Sequence, residues 1–237
     1  MTTPTDIVAS LCAYAVEGGL DGRYQPATIY NALISLGRIE PPGDALRLWE
    51  GYEDLLTAAA AAGVRRLRLE LSWARLEPRR GQYRDEVTDR YRSLLRSAQA
   101  LGLEVEIAAC DGAWPAWCGM EPLLWPWSLA VVRHHIERIA TDFSSADGII
   151  VLARPGSLAQ GYLDASGPPW RHKARDDAAL VMAHYETLVR ETTQRGWLRP
   201  VFGPERIVRP LVGGVGPLAQ PLPLMEHLND SWCPTAS

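Results

Sequence analysis

Short apolar segments alternate with longer amphipathic ones along most of this chain, and that alternation limits the folds open to it. The segments "DIVASLCAYAVEG" (6–18), "RRLRLELSW" (65–73), "LEVEIAAC" (103–110) and "GIIVLA" (148–153) read as strands, the first with a turn after it. Between and after them lie helical patterns at 49–64, 85–102, 128–143 and 176–196. The second carries Val87, Tyr91, Leu94, Leu95 and Ala98 on one face and Gly102 beyond its end. Strands that alternate with helices at this spacing predict βα units and a parallel sheet. A fifth strand is expected in "ERIVRPLVGG" (205–214), where Pro210 argues for an edge. The long connections at 19–48, 110–128 and 154–175 each follow the carboxyl end of a strand, where barrels and open α/β folds place their sites.

A chain of 237 residues is long enough for a large single core. Its net charge of −4 leaves no basic footprint for nucleic acid. The longest apolar run, "LLTAAAAAGV" (55–64), is too short to span a bilayer, and "MTTPTDIVAS" has no positive, apolar leader, so no membrane partner and a cytoplasmic location are expected. Cys12, Cys110, Cys118 and Cys233 form no CxxC pair and have no histidine at zinc spacing, which predicts free thiols and no metal. No cofactor is expected: "VGGVGPLA" (212–219) lacks the Lys-Ser/Thr of a phosphate loop and runs into Pro217.

Five stretches, taken in order, carry a resemblance. "AYAVEG" (13–18) is similar to Ala-Tyr-Gln-Ile-Glu-Gly. "GYEDLLTAAAAAGVRRLRLELSWARLEPRRGQYRDEVTDRYRSLLRSAQALGLEVEI" (51–107) follows a pattern of two βα units with a Tyr-Arg-Phe-Ser-Ile-Ser-Trp strand. "DGAWPAW" (111–117) resembles a His-Trp-Asp-Leu-Pro loop, "VLARPG" (151–156) falls where Thr-Leu-Asn-Glu-Pro-Trp would stand, and "AALVMAHYETLVRE" (178–191) resembles the helix after it. Together they resemble the N-terminal half of the family 1 glycoside hydrolases, the β-glucosidase family, over roughly residues 8–195. The resemblance implies an α/β fold of the truncated or partial TIM (β/α) barrel type, glycosidase-like, with about five parallel strands. A barrel unit over 1–216 and a Pro-rich C-terminal tail over 217–237 are expected, the tail packing on the barrel or on a partner.

The departures bear on chemistry. Where the family places its sugar-binding Gln, His and Asn and its catalytic acid, this chain has Ala15, Asp111, Ala153 and Arg154. Only 83 residues follow Arg154 in this sequence, so it is expected to lack the family's late nucleophile segment. Retaining hydrolysis needs two carboxyl groups about 5–5.5 Å apart, and an arginine cannot donate a proton near neutrality. Tyr14, Glu17, Gly18, Arg68, Ser72, Trp73, Pro115 and Pro155 match the family. The resemblance sets Arg68 at the bottom of the sugar site.

Strand alternation puts Arg68, Glu70 and Ser72 on one face, with Asp111 and Arg154 at the ends of the next two strands. Two readings stay open: a salt-bridge network that plugs a dead site, or a remade pocket. In the second, Asp111 and Glu70 serve as acid and base, and Arg68 and Arg154 hold an anionic oxygen. Glu17, Tyr14, Trp73, Trp114 and Trp117 complete the candidate binding set, because tryptophan faces stack on sugars and flat aglycones. Core packing explains at least half of the tryptophans equally well. His134 and His135 read as surface or boundary residues, and "RLEPRRGQYR" (75–84) as a solvated loop. The expected function is thus a non-hydrolytic enzyme doing acid–base chemistry on a small polyhydroxylated or polycyclic, natural-product-like molecule. The alternatives are a non-catalytic glycoside-binding or accessory protein, or a weak glycosidase. A sugar-like or aromatic small molecule is the expected ligand. A partial barrel leaves sheet edges open, so the tail or a second copy, as a homodimer, is expected to cover them.

Overall fold

The computed structural model describes residues 7–19, 27–37, 40–110, 113–165, 169, 174–202 and 206–208. Five parallel strands form one sheet in the order β4-β3-β2-β1-β5: β1 (Ile7–Cys12), β2 (Arg66–Glu70), β3 (Glu104–Cys110), β4 (Gly148–Leu152) and β5 (Arg206–Val208). Three long helices follow the anticipated βα pattern: α3 (Leu48–Ala61), α5 (Asp85–Ala100) and α6 (Pro126–Asp142). A fourth, α8 (Arg175–Gln194), follows β4. The short helices α1 (Ala13–Val16), α2 (Tyr30–Ser35), α4 (Trp73–Leu76) and α7 (Gly156–Leu163) sit in the strand-to-helix connections, where the apolar pattern gave no signal for them.

Local chemistry explains the elements. In α5, Val87, Tyr91, Leu94, Leu95 and Ala98 are buried, while Asp85 and Glu86 in the first turn oppose the positive end of the helix dipole. Gly102, at φ +76°, follows its last turn in a conformation that favours glycine. α6 starts with Pro126, whose missing N–H costs nothing there. The side of the sheet that meets the helices carries Leu67, Leu69, Val105, Ile107, Ile149 and Val151, each at most 1% exposed.

Part of the sheet edge is met by the segment that follows α8. After α8 the chain pairs with the β4 edge through reciprocal 2.9 Å bonds between Arg199 and Ile149. Four residues past Phe202 it runs beside β1 as β5, with Ile7 opposite Arg206 and Ala9 opposite Val208. This strap, Arg199–Phe202, is separated from β5 by a four-residue step, which spans at most about 14 Å. The proposed cover at 217–237 lies outside the described residues.

Gly148 is where the strap lies closest. A Cβ on it would stand 2.7 Å from Val201 Cγ2, 2.8 Å from the Arg199 carbonyl oxygen and 3.0 Å from Glu106 Cγ. Gly148→Ala is therefore expected to lower stability by about 1–3 kcal/mol through overpacking. Gly63, where a Cβ meets nothing within 4 Å but φ is +88°, gives the comparison variant for backbone strain alone. Urea unfolding of both checks this: a Gly148→Ala protein as stable as wild type would mean that the strap is not seated there.

Candidate functional site

Strand register arranges the inner face of the sheet in rows. Ser10, Arg68, Glu106 and Gly148 are neighbours in one row, and Cys12, Glu70, Ala108 and Ile150 in the next towards the carboxyl ends. Paired positions on parallel strands project from the same face. Arg68 and Glu70 thus do share a face, and both are buried.

Their bonds among the described residues run to different partners. Arg68 gives Nε and Nη2 to Glu106 Oε2, at 2.7 and 2.6 Å. Glu106 is 0% exposed, and its Oε1 accepts the backbone N–H groups of Val201 and Phe202 at 3.0 and 3.2 Å. The Phe202 ring lies 5.9 Å from the Arg68 guanidinium carbon. Glu70 Oε1 accepts the Ser10 hydroxyl at 2.9 Å. Glu106 was not among the residues singled out from sequence, although a signal existed. Laid side by side in parallel, "RLRLE" and "EVEIA" set Arg66 against Glu104 and Arg68 against Glu106, and the outer of these pairs also closes, at 3.5 Å.

The other candidates are distributed through the frame. Glu17, 2% exposed, receives the Tyr91 hydroxyl on Oε1 at 2.5 Å and Arg75 Nε on Oε2 at 2.8 Å. Arg75 also donates to the Gly18 carbonyl and stacks 4.4 Å over Trp49. Burial pushes the Glu17 carboxyl above its usual range, and Arg75 and Tyr91 oppose that shift. Tyr14 packs its ring 4.6 Å from that of Tyr30. Arg154 stands half-buried two residues beyond β4. Asp111 lies outside the described residues.

Trp73 and Trp114 are buried and Trp117 half-buried, packed edge to face at 6.0 and 5.6 Å around Trp73. His135 stacks on Trp73 at 4.1 Å. This corrects the reading of His135 as a surface or boundary residue, which fits only its exposed neighbour His134. His135 is fully buried because it completes the aromatic cluster and because both ring nitrogens have partners there. Nε2 lies 2.9 Å from the Ala109 carbonyl oxygen, so it carries the proton, and Nδ1 accepts from the Tyr83 hydroxyl at 2.7 Å. Among the described residues, the tryptophans that do face solvent are Trp125 and Trp127, at the start of α6.

Cys12, Cys110 and Cys118 are free thiols, and burial together with nearby Glu77 pushes Cys118 up to about 12, so it stays protonated at neutral pH. Among the described residues, no group of three or more His, Cys, Asp or Glu is arranged to hold a metal ion. No helix among them is long and apolar enough to cross a membrane.

No protein-family model matches the chain, and no curated protein sequence does. Solved structures do. An aphid myrosinase superposes over 82% of this chain and 45% of its own, with a TM-score of 0.72 and 14% identity. A β-glucosidase from Exiguobacterium marinum does so over 88% and 48%, at 0.71 and 16%. A family 1 β-glucosidase from Thermotoga maritima, solved with isofagomine lactam, does so over 84% and 46%, at 0.65 and 14%. The fold is a glycosidase-like partial TIM barrel. The chain spans less than half the length of these structures.

His135 makes stability pH-dependent. Burial, the largest cause, lowers its pKa to about 3 from the ordinary 6.5, against a smaller opposing effect of the Ala109 carbonyl. A depressed folded pKa means that the stabilising contribution is fully present above about 6.5 and is lost as pH falls towards 3. The slope approaches about 1.4 kcal/mol per pH unit between them. Urea midpoints measured from pH 7.5 to 4 are expected to fall accordingly, and His135→Gln to flatten that part of the profile. An unchanged slope in His135→Gln would assign the effect to other groups.

Proposed function

We propose that this chain is a glycosidase-like half-barrel that does not hydrolyse glycosides and acts as a ligand-binding or accessory protein. The observation that carries this reading is the state of Glu106. It is the inner-face carboxylate beside Arg68, and both of its oxygens are filled by a guanidinium and two backbone N–H groups. A carboxylate so held is a weak nucleophile and has no room for a sugar carbon. Arg154 supports the same reading, since it stands where the resemblance to β-glucosidases puts the general acid. Loss of such an acid costs about 10²–10⁴ in rate. The burial of Trp73 and Trp114 fits a frame more than a ligand wall.

A second reading draws on Glu70. It is 3% exposed, while Cys12 and Ile150 in the same row are only half-buried, so that row is less completely covered than the row of Glu106. Acid–base chemistry on a small polyhydroxylated or polycyclic molecule would fall to this carboxylate.

With a chromogenic aryl β-glucoside, turnover is expected to equal that of buffer. Turnover that Glu70→Gln or Glu106→Gln abolishes would overturn the non-hydrolytic reading. Calorimetric titration with the aryl glucoside and with its free phenol separates binding from inertness. Saturable heat without turnover supports the binding role, and substrate consumption lost in Glu70→Gln supports the second reading.

A further inference from the structure

The connection from α4 to α5 is held rigid by side chains that point inward. Glu77, 4% exposed, accepts Trp73 Nε1 on Oε2 at 2.7 Å and the Gly81 N–H on Oε1 at 2.6 Å. The Glu77 carbonyl accepts Trp117 Nε1 at 2.8 Å. Gln82 N–H bonds the Arg79 carbonyl at 2.9 Å, Gly81 takes φ +77°, and Arg84 N–H bonds the Leu76 carbonyl at 2.9 Å. Tyr83 is anchored through its hydroxyl to His135. The loop is therefore pinned at its base and at its tip.

Its outer side is built differently. Pro78, Arg79, Gln82, Tyr83 and Arg84 line a concavity of about 350 Å³. The guanidinium groups of Arg79 and Arg84 make no hydrogen bond or ion pair among the described residues. Elsewhere the described arginines are mostly engaged: Arg68 on Glu106, Arg75 on Glu17, Arg92 and Arg138 on Asp142, Arg133 on Glu191. The adjacent acid Asp85 is already met by Arg138 at 3.3 Å, and Glu77 is turned into the protein. Two arginines that line one hollow and have no ion-pair partner among the described residues, in a chain of net charge −4, form a positive spot on a negative molecule.

We propose that this hollow binds a small, doubly charged oxyanion of the phosphate class, free or as a phosphate monoester. Guanidinium forks match tetrahedral oxyanions in a bidentate manner, and the Gln82 amide supplies a further donor. The hollow has the size of a small-molecule site, at the lower end of the usual range. A loop already held in place spends little ordering entropy on binding. The site lies on the connection after β2, on the carboxyl-end rim of the sheet, separate from the inner face with Glu70 and Glu106.

Isothermal titration with inorganic phosphate, pyrophosphate and glycerol 2-phosphate, at ionic strength fixed with chloride, tests this. Saturable one-to-one binding by at least one of them is expected. Arg79→Gln and Arg84→Gln are each expected to weaken it roughly three- to tenfold, and the double variant to abolish it. Arg96→Gln, on the exposed face of α5, serves as the control and is expected to bind as wild type. These arginines are exposed and unpaired, so the variants should fold, which thermal melts confirm. Preference for glycerol 2-phosphate identifies an ester as the ligand, and preference for the inorganic ions a free oxyanion; both support the site. Absence of saturable heat with all three overturns it, as does equal binding by the double variant.

Discussion

One carboxylate organises the open side of this molecule. Glu106 sits on β3, next to the edge strand β4, faces inward and is cut off from water. An isolated buried charge is too costly to persist, so its surroundings must neutralise it. Arg68 does so from the neighbouring strand, and the backbone of Val201 and Phe202 does so from the strap. Removing one member leaves the others buried and unpaired, at a cost of about 3–5 kcal/mol, a large part of a domain's margin of about 5–15 kcal/mol. The strap is thus fixed to the sheet over β3 and β4. A pair of apolar side chains would stabilise the fold as well, but would not set the position of the passing backbone so narrowly.

The same interaction fixes the state of the inner face, where Arg68 gives two of its donors to Glu106. Glu17 is similarly committed to Arg75 and Tyr91, which ties the turn after β1 to α4 and α5. Trp73 bonds Glu77 and stacks on His135. Residues that match the β-glucosidase pattern are here held by structural partners, so similarity of sequence at these positions reports the frame more directly than the chemistry.

The periodicity of apolar residues made the βα order and four of the five strands legible to within a few residues, because buried strands and amphipathic helices are signalled locally. The edge position of β5 was legible from Pro210. The strap was not, since "WLRPVF" shows neither period and its seat depends on Gly148, a distant residue. His135 was misjudged for a related reason. Val132 and Ile139, three before and four after it, put it at the border of the apolar stripe, and only the tertiary fold brings Tyr83 and the Ala109 carbonyl to its two nitrogens. Arg68 and Glu70 could be placed on one face by alternation alone. The partner of Arg68 required the register of β2 against β3, which a single strand does not reveal.

These constraints also decide where a ligand can approach. In a closed barrel the inner face is filled by side chains from the opposite strands, and ligands enter at the carboxyl-end rim. Here the strap occupies part of that interior, lying over Gly148 and Glu106 and carrying the Phe202 ring next to Arg66 and Arg68. A ligand entering from the strap side would have to displace two backbone bonds to a buried carboxylate and expose the Arg68–Glu106 pair. An approach at the rim meets no such barrier. Arg79 and Arg84 stand there without ion-pair partners among the described residues, and the half-exposed Trp125 and Trp127 lie at the start of α6 after the next strand.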